Sequence, residues 1–175
     1  MLLQMRQRLV AARTFERTVS VIMDDVIALH GAEFGSCQMA VGDDLVLVAQ
    51  RGFRPPFLKT FAWTGKTDPC ACGRALKSRQ TVIVPDVTLD REFAPFRRIA
   101  REAGFRAVQS TPLLTRSGKL VGVVSTHFAN AHEPTRIEME TLAQYSVFAA
   151  ERLAELAPAD AIAAKAEDLL HKILA

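Results

Sequence analysis

The tightest constraint on this chain lies between residues 36 and 49. Ser36-Cys37-Gln38-Met39-Ala40-Val41 and Asp44-Leu45-Val46-Leu47-Val48-Ala49 are separated only by Gly42-Asp43. A two-residue connection of this type between two such runs predicts a β-hairpin. In the second run Leu45, Leu47 and Ala49 alternate with Val46 and Val48, so both faces are apolar. Such a strand needs cover on both sides, which excludes a sheet with one wet face.

The cover is encoded on either side of the hairpin. Leu2, Met5, Leu9 and Ala12 recur at helical spacing, as do Phe15, Val19, Ile22, Val26 and Leu29. Thr14 is suited to cap the break between these stripes, and Gly31 to end the second. Residues 50–80 are irregular and aromatic, with Phe53, Phe57, Phe61 and Trp63. Asp68-Pro69 then predicts the start of a short helix through Leu76, with Asp68 as cap. Strands are expected at 81–84, 106–114 and 119–128, and a helix at 95–103 ended by Gly104. Glu133-Pro134-Thr135 opens a helix to about Leu156, with Leu142, Tyr145, Ala149 and Leu153 in step. After Pro158, Asp160 is a candidate cap for a last helix carrying Ile162, Leu169, Leu170 and Ile173. This order predicts an α+β fold. Short turns between neighbouring strands make its central sheet antiparallel, with the helices of both chain ends on one face.

Composition narrows the function classes. The 175 residues are 49% hydrophobic and 23% charged, the balance of one folded domain. No apolar run is long enough to cross a membrane, and Met1-Leu2-Leu3-Gln4-Met5-Arg6 lacks a secretory core. A net charge of +3, spread along the chain, argues against nucleic acid as a partner. Three cysteines, Cys37, Cys70 and Cys72, suit a reducing compartment, so a cytoplasmic location is expected.

Four ordered segments carry a family resemblance. They are Asp68-Pro69-Cys70-Ala71-Cys72-Gly73-Arg74-Ala75-Leu76, Val82-Ile83-Val84-Pro85-Asp86-Val87, Gly104 to Leu113, and Gly118 to Phe128. Together they resemble GAF domains of bacterial signalling proteins over roughly residues 14–154. The resemblance implies a GAF-like fold, profilin-like and related to PAS domains. Its antiparallel sheet would have the terminal helices on one face and a pocket of loops and short helices on the other. The chain then divides into residues 1–13, an N-terminal helix and candidate dimer contact; 14–156, the GAF domain; and 157–175, a helical tail. The implied function is sensory or regulatory rather than enzymatic. A small-molecule ligand, a homodimer through the Leu2-Met5-Leu9 and Leu142–Leu156 helices, and an output partner such as a histidine kinase are expected. No particular cofactor is implied. The cyclic-nucleotide motif is missing, with Asn130 the single asparagine. Asp68-Pro69-Cys70-Ala71 is similar to a bilin-binding Asp-x-Cys-Phe motif, but has Ala71 at the Phe position and no Cys-His attachment pair.

The candidate ligand-binding residues are Phe61, Trp63, Cys70, Cys72, Asp86, Phe96, Ser110, Ser125 and His127. With Asp68 as cap, Cys70 would be the second helical residue, where the helix dipole favours a thiolate. Equally, both cysteines suit packing beneath a short helix. A disulfide between residues two apart is disfavoured on geometry, and a Cys-x-Cys pair has too few ligands for a closed zinc site. Alternation puts His127 with Val121, Val123 and Ser125, either facing a ligand or bonding within a wall. Asp86 and Asp90 either pair with Arg97, Arg98 or Arg101 around a cavity mouth or sit solvated. Phe53, Phe57, Phe61, Trp63, Phe93 and Phe96 flank the expected pocket. The alternative function is a thiol-based redox module related to free methionine-(R)-sulfoxide reductase, whose Val-Cys-Gly-Thr-Ala-type run resembles Ala71-Cys72-Gly73-Arg74-Ala75. That enzyme's sulfoxide-attacking thiol falls in a region that here reads Phe96-Arg97-Arg98-Ile99-Ala100.

Overall fold

A computed structural model describes residues 1–175, with the side chains of all but Ala159. Two helices come first, α1 (Leu2–Ala11) and α2 (Phe15–His30). They part at Thr14, whose hydroxyl accepts from the Arg17 N–H, satisfying one orphan donor of the new helix. Gly31 ends α2 at φ +61°, a left-handed position that glycine takes without strain. The hairpin follows as β1 (Phe34–Val41) and β2 (Asp44–Arg51). Then come α3 (Pro55–Thr60), β3 (Trp63–Gly65), α4 (Ala71–Ser78), β4 (Val82–Val84), a 3-10 turn at Ala94–Phe96 and α5 (Arg97–Ala103). The chain continues as β5 (Ala107–Leu114), β6 (Leu120–Phe128), α6 (Arg136–Leu156) and α7 (Ala159–Leu174).

The six strands form one sheet in the order β3-β2-β1-β6-β5-β4, with every neighbouring pair antiparallel. Chain-distant β1 and β6 pair at its centre, and their backbones close up at Gly122. A Cβ there would stand 2.3 Å from the Gln38 carbonyl oxygen. Against one face lie α2, α6 and α7, with α1 laid on α2 and α6. Met5, Leu9, Ile22, Leu142 and Leu153 are buried in that layer. Burying such side chains contributes about 1.5–3 kcal/mol each. The expected dimer stripes therefore lie inside the protomer, and the large exposed apolar residues of α1 are Leu3 and Val10. A polar knot around buried Asp25 links α1, α2 and α6: Tyr145 Oη donates to Asp25 Oδ2 at 2.7 Å, and Arg8 Nε to Asp25 Oδ1 at 2.6 Å. Burial raises the Asp25 carboxyl above its usual range although both donors pull it down.

Three sequence expectations change. Asp68 does not cap α4. Its carboxylate accepts the Gly65 N–H at 2.7 Å and closes the turn after β3, so the helix starts two residues later with Cys70 at the N-cap. Cys70 is thus outside the helix, at ψ 163°, rather than its second residue. Asp160 is likewise not a cap, because α7 begins after Pro158. In β2 the register slips: Leu47 faces Gln38 and Ala49 faces Cys37 across the pair. The extra residue puts Ala49 on the helix-covered face, away from Leu47.

Candidate functional site

On the other face, α3, α4, α5 and the β4 region arch over β1, β6 and β5. Side chains alternate along a strand, so Ser36 and Gln38 of β1 point under this arch while Cys37 and Met39 point to the helices. The same alternation selects Val108 and Ser110 on β5, and Ser125 and His127 on β6. Register aligns Ser36 with Ser125 and Ser125 with Ser110, giving a row of three serines across three strands. Ser110 Oγ and Ser125 Oγ share a hydrogen bond at 2.7 Å. Gln38 Nε2 donates to the Phe61 carbonyl at 3.2 Å and to Thr64 Oγ1 at 3.1 Å, which ties the sheet to the arch.

Between these parts is a cavity of about 20 Å³, walled by the serine row, Gln38, Cys70, Cys72, Phe57, Phe61, Phe93, Phe105, Val108 and His127. That is room for about one water molecule, well short of a drug-sized ligand. No charged side chain lines it. Phe105 also lines a larger surface cleft of about 340 Å³ with Arg97, Arg101 and Arg106. This residue therefore stands between the cavity and the cleft.

His127 sits among rings, with centroids 4.7 Å from Phe105, 4.9 Å from Phe53 and 5.6 Å from Phe57, all edge-on. Burial without a charged partner lowers its pKa to about 3, so the ring is neutral at physiological pH. Its Nδ1 is buried and has no hydrogen-bond partner. Cys70 Sγ and Cys72 Sγ lie 3.4 Å apart, and Thr64 Oγ1 is 3.9 Å from Cys72 Sγ. The contact between the two sulfurs, in which either can donate, lowers Cys70, helped by the Gly73 N–H. The same contact and complete burial raise Cys72.

Of the nine sequence candidates, Phe61, Cys70, Cys72, Ser110, Ser125 and His127 meet around the cavity. Phe96 stands behind the wall, packed on Phe61 and Phe93. Trp63 is on the edge strand β3, 46% exposed. Asp86 is on the surface, where Arg106 Nη2 donates to its carboxylate at 2.6 Å and Thr88 Oγ1 at 2.6 Å. Arg106, then Thr88, hold that carboxyl well below the ordinary range. Neither aspartate pairs with Arg97, Arg98 or Arg101. Asp90 pairs with Arg74 at 3.1 Å, and Arg97 donates instead to the Val87 and Asp90 carbonyls. Ser36, Gln38, Phe105 and Val108 were not among the candidates. Alternation from Ser110 along β5 would have found Val108, but Ser36 and Gln38 needed the β1–β6 pairing. Among the described residues no group of His, Cys, Asp and Glu is arranged to hold a metal ion.

A family model described as GAF domain matches residues 12–153. The chain belongs to the GAF family. No curated protein matches it at the sequence level. Its fold is similar to the GAF domain of a phosphoenolpyruvate-protein phosphotransferase from Coxiella burnetii, at 17% identity, TM-score 0.75, covering 88% of this chain and 90% of that one. It is also similar to the free methionine-R-sulfoxide reductase of Neisseria meningitidis, solved with its substrate, at 16% identity, TM-score 0.72 and coverage of 89% and 87%. The chromophore-binding domain of a bacteriophytochrome from R. palustris matches at 14% identity and TM-score 0.67, covering 89% of this chain and 60% of that one. At these identities the likeness is one of fold. The six-stranded antiparallel sheet and the helices on both its sides are those of a GAF domain. Among the described residues of this domain, no helix is long and apolar enough to cross a membrane.

Proposed function

We propose that this GAF domain is a sensory or regulatory module. It takes a small, uncharged ligand between sheet and arch and passes the event to α1, α2 and α6. The observation that carries this reading is the wall chemistry. Aromatic rings surround a few convergent polar groups, and one of these, His127 Nδ1, is buried without a partner. Leaving such a group unsatisfied costs about 1–3 kcal/mol, which a ligand donating to it would recover. The absence of charge from the wall favours a neutral ligand over a nucleotide or an amino acid, since a buried ion needs a partner. Entry requires Phe105 to swing towards the cleft, so the binding state is a minor conformer that the ligand populates. The sheet carries the response: Ser110 and Ser125 lie at the cavity, while neighbouring Gln109 reaches the other face and contacts His30 of α2 at 3.3 Å.

The domain acts with partners in this reading, as a homodimer through the exposed Leu3 and Val10 of α1 and beside an output partner such as a histidine kinase. Sedimentation at high concentration would give a dimer, and a monomer for Leu3→Glu. A wild-type monomer would remove the dimer from the reading. Native mass spectrometry and absorbance of the purified chain test the ligand. A retained small molecule, lost in Ser125→Phe with its added ring in the cavity, supports the proposal. A molecule retained equally by the filled variant contradicts it.

A further inference from the structure

We infer that Cys70 and Cys72 are a peroxide-reactive dithiol, a modification site that closes to an intrachain disulfide on exposure to hydrogen peroxide. The inference is independent of any ligand at the cavity. Spacing alone argues against a bond between residues two apart, but the fold has already brought the sulfurs to 3.4 Å. A disulfide needs about 2.05 Å, so little further approach is required. The approach comes from Cys70 standing at the N-cap in extended conformation, with Cys72 in the first turn of α4.

Both thiols line the cavity, whose 20 Å³ admits an oxidant little larger than water and excludes bulky electrophiles. The two sulfurs are unequal. They share one S–H contact in which either can be the donor; it lowers Cys70, whereas the same contact and burial raise Cys72. Cys37, on the other face, is buried and pushed up to about 12, so it stays out of the reaction.

The steps balance. The Cys70 thiolate attacks one peroxide oxygen and the O–O bond breaks. Hydroxide leaves and takes a proton to become water, and Cys70 is a sulfenic acid. Cys72, losing its proton, attacks the Cys70 sulfur. The S–O bond breaks, and hydroxide again leaves as water. Two thiols and one peroxide give one disulfide and two waters. The contraction falls where α4 has no slack, because a Cβ on Gly73 would already lie 2.3 Å from the Asp68 carbonyl oxygen. The strain therefore passes into the turn after β3 and into α4, which packs on β5 and β6.

The test is reaction of the reduced full chain with a slight excess of hydrogen peroxide, followed by peptide mass mapping and a rate measurement. The expected result is loss of two hydrogens on the peptide holding both cysteines, at a rate about tenfold or more above free cysteine, with Cys37 unchanged. Cys72→Ser should stop at a Cys70 sulfenic acid that dimedone traps. Oxygen addition without hydrogen loss in the wild type, a rate no greater than free cysteine, or consumption of Cys37 at the same rate would overturn the inference. The wild-type mapping decides even if the variant fails to fold.

Discussion

His127 and the hydrogen-bonded pair Ser110 and Ser125 set the chemistry of the site. In the unfolded chain this histidine titrates near its ordinary 6.5, but in the fold burial lowers it to about 3. Between those values the unfolded state binds more protons. Stability is therefore complete above about pH 6.5 and is lost as pH falls toward 3. Buried His30, also lowered by burial, acts in the same direction. Urea titrations at pH 7 and pH 5 should show wild type losing more stability than His127→Leu does. Equal losses would show that the ring is solvated. For the serine pair, Ser125→Ala leaves Ser110 Oγ without its 2.7 Å partner and should cost about 1–3 kcal/mol. Replacing both by alanine should cost less than the sum of the single changes. His127, Ser110 and Ser125 were legible in the sequence because a strand's period of two assigns a face without any tertiary knowledge. Ser36 was not, because its place in the row depends on pairing with β6, almost ninety residues away.

Among the elements, boundaries marked by side-chain caps read correctly and those closed by turns did not. Thr14 caps α2 as expected, and Thr135 caps α6 in a reciprocal box with Glu138. Asp68-Pro69 carries the same signature as a helix start, yet Asp68 spends its carboxylate on Gly65. The distinction depends on β3, three residues long and too short for any period to reveal. Helix α3, six residues long, was missed for the same reason. The turn from β3 into α4 is also where the fold is least tolerant. In Gly73→Ala the new methyl meets the backbone oxygens of Asp68 and Gly65, which cannot rotate away. A loss of about 1–3 kcal/mol is expected in thermal or urea unfolding. A neutral result would mean that α4 is free to shift, and that the thiol pair is less constrained than its geometry implies.

At the scale of the molecule, the two-faced apolar hairpin determined the plan. Its strands are covered by terminal helices on one side and by the arch on the other, as the apolar alternation of β2 required. What no strand pattern contains is the amount of space left beneath the arch. That depends on how Phe57, Phe61, Phe93 and Phe105 pack against the sheet, and they leave room for about one water. The central claim is that this closed space opens for a neutral ligand and that the sheet conveys the event to the helices behind it. Amide NMR titration with uncharged aromatic fragments tests it most directly. The account predicts saturable shifts at Ser36, Gln38, Ser110, Ser125 and His127 that extend through Gln109 to His30 on α2. Shifts confined to the surface cleft, or no saturable change at the cavity amides with any fragment, would contradict it.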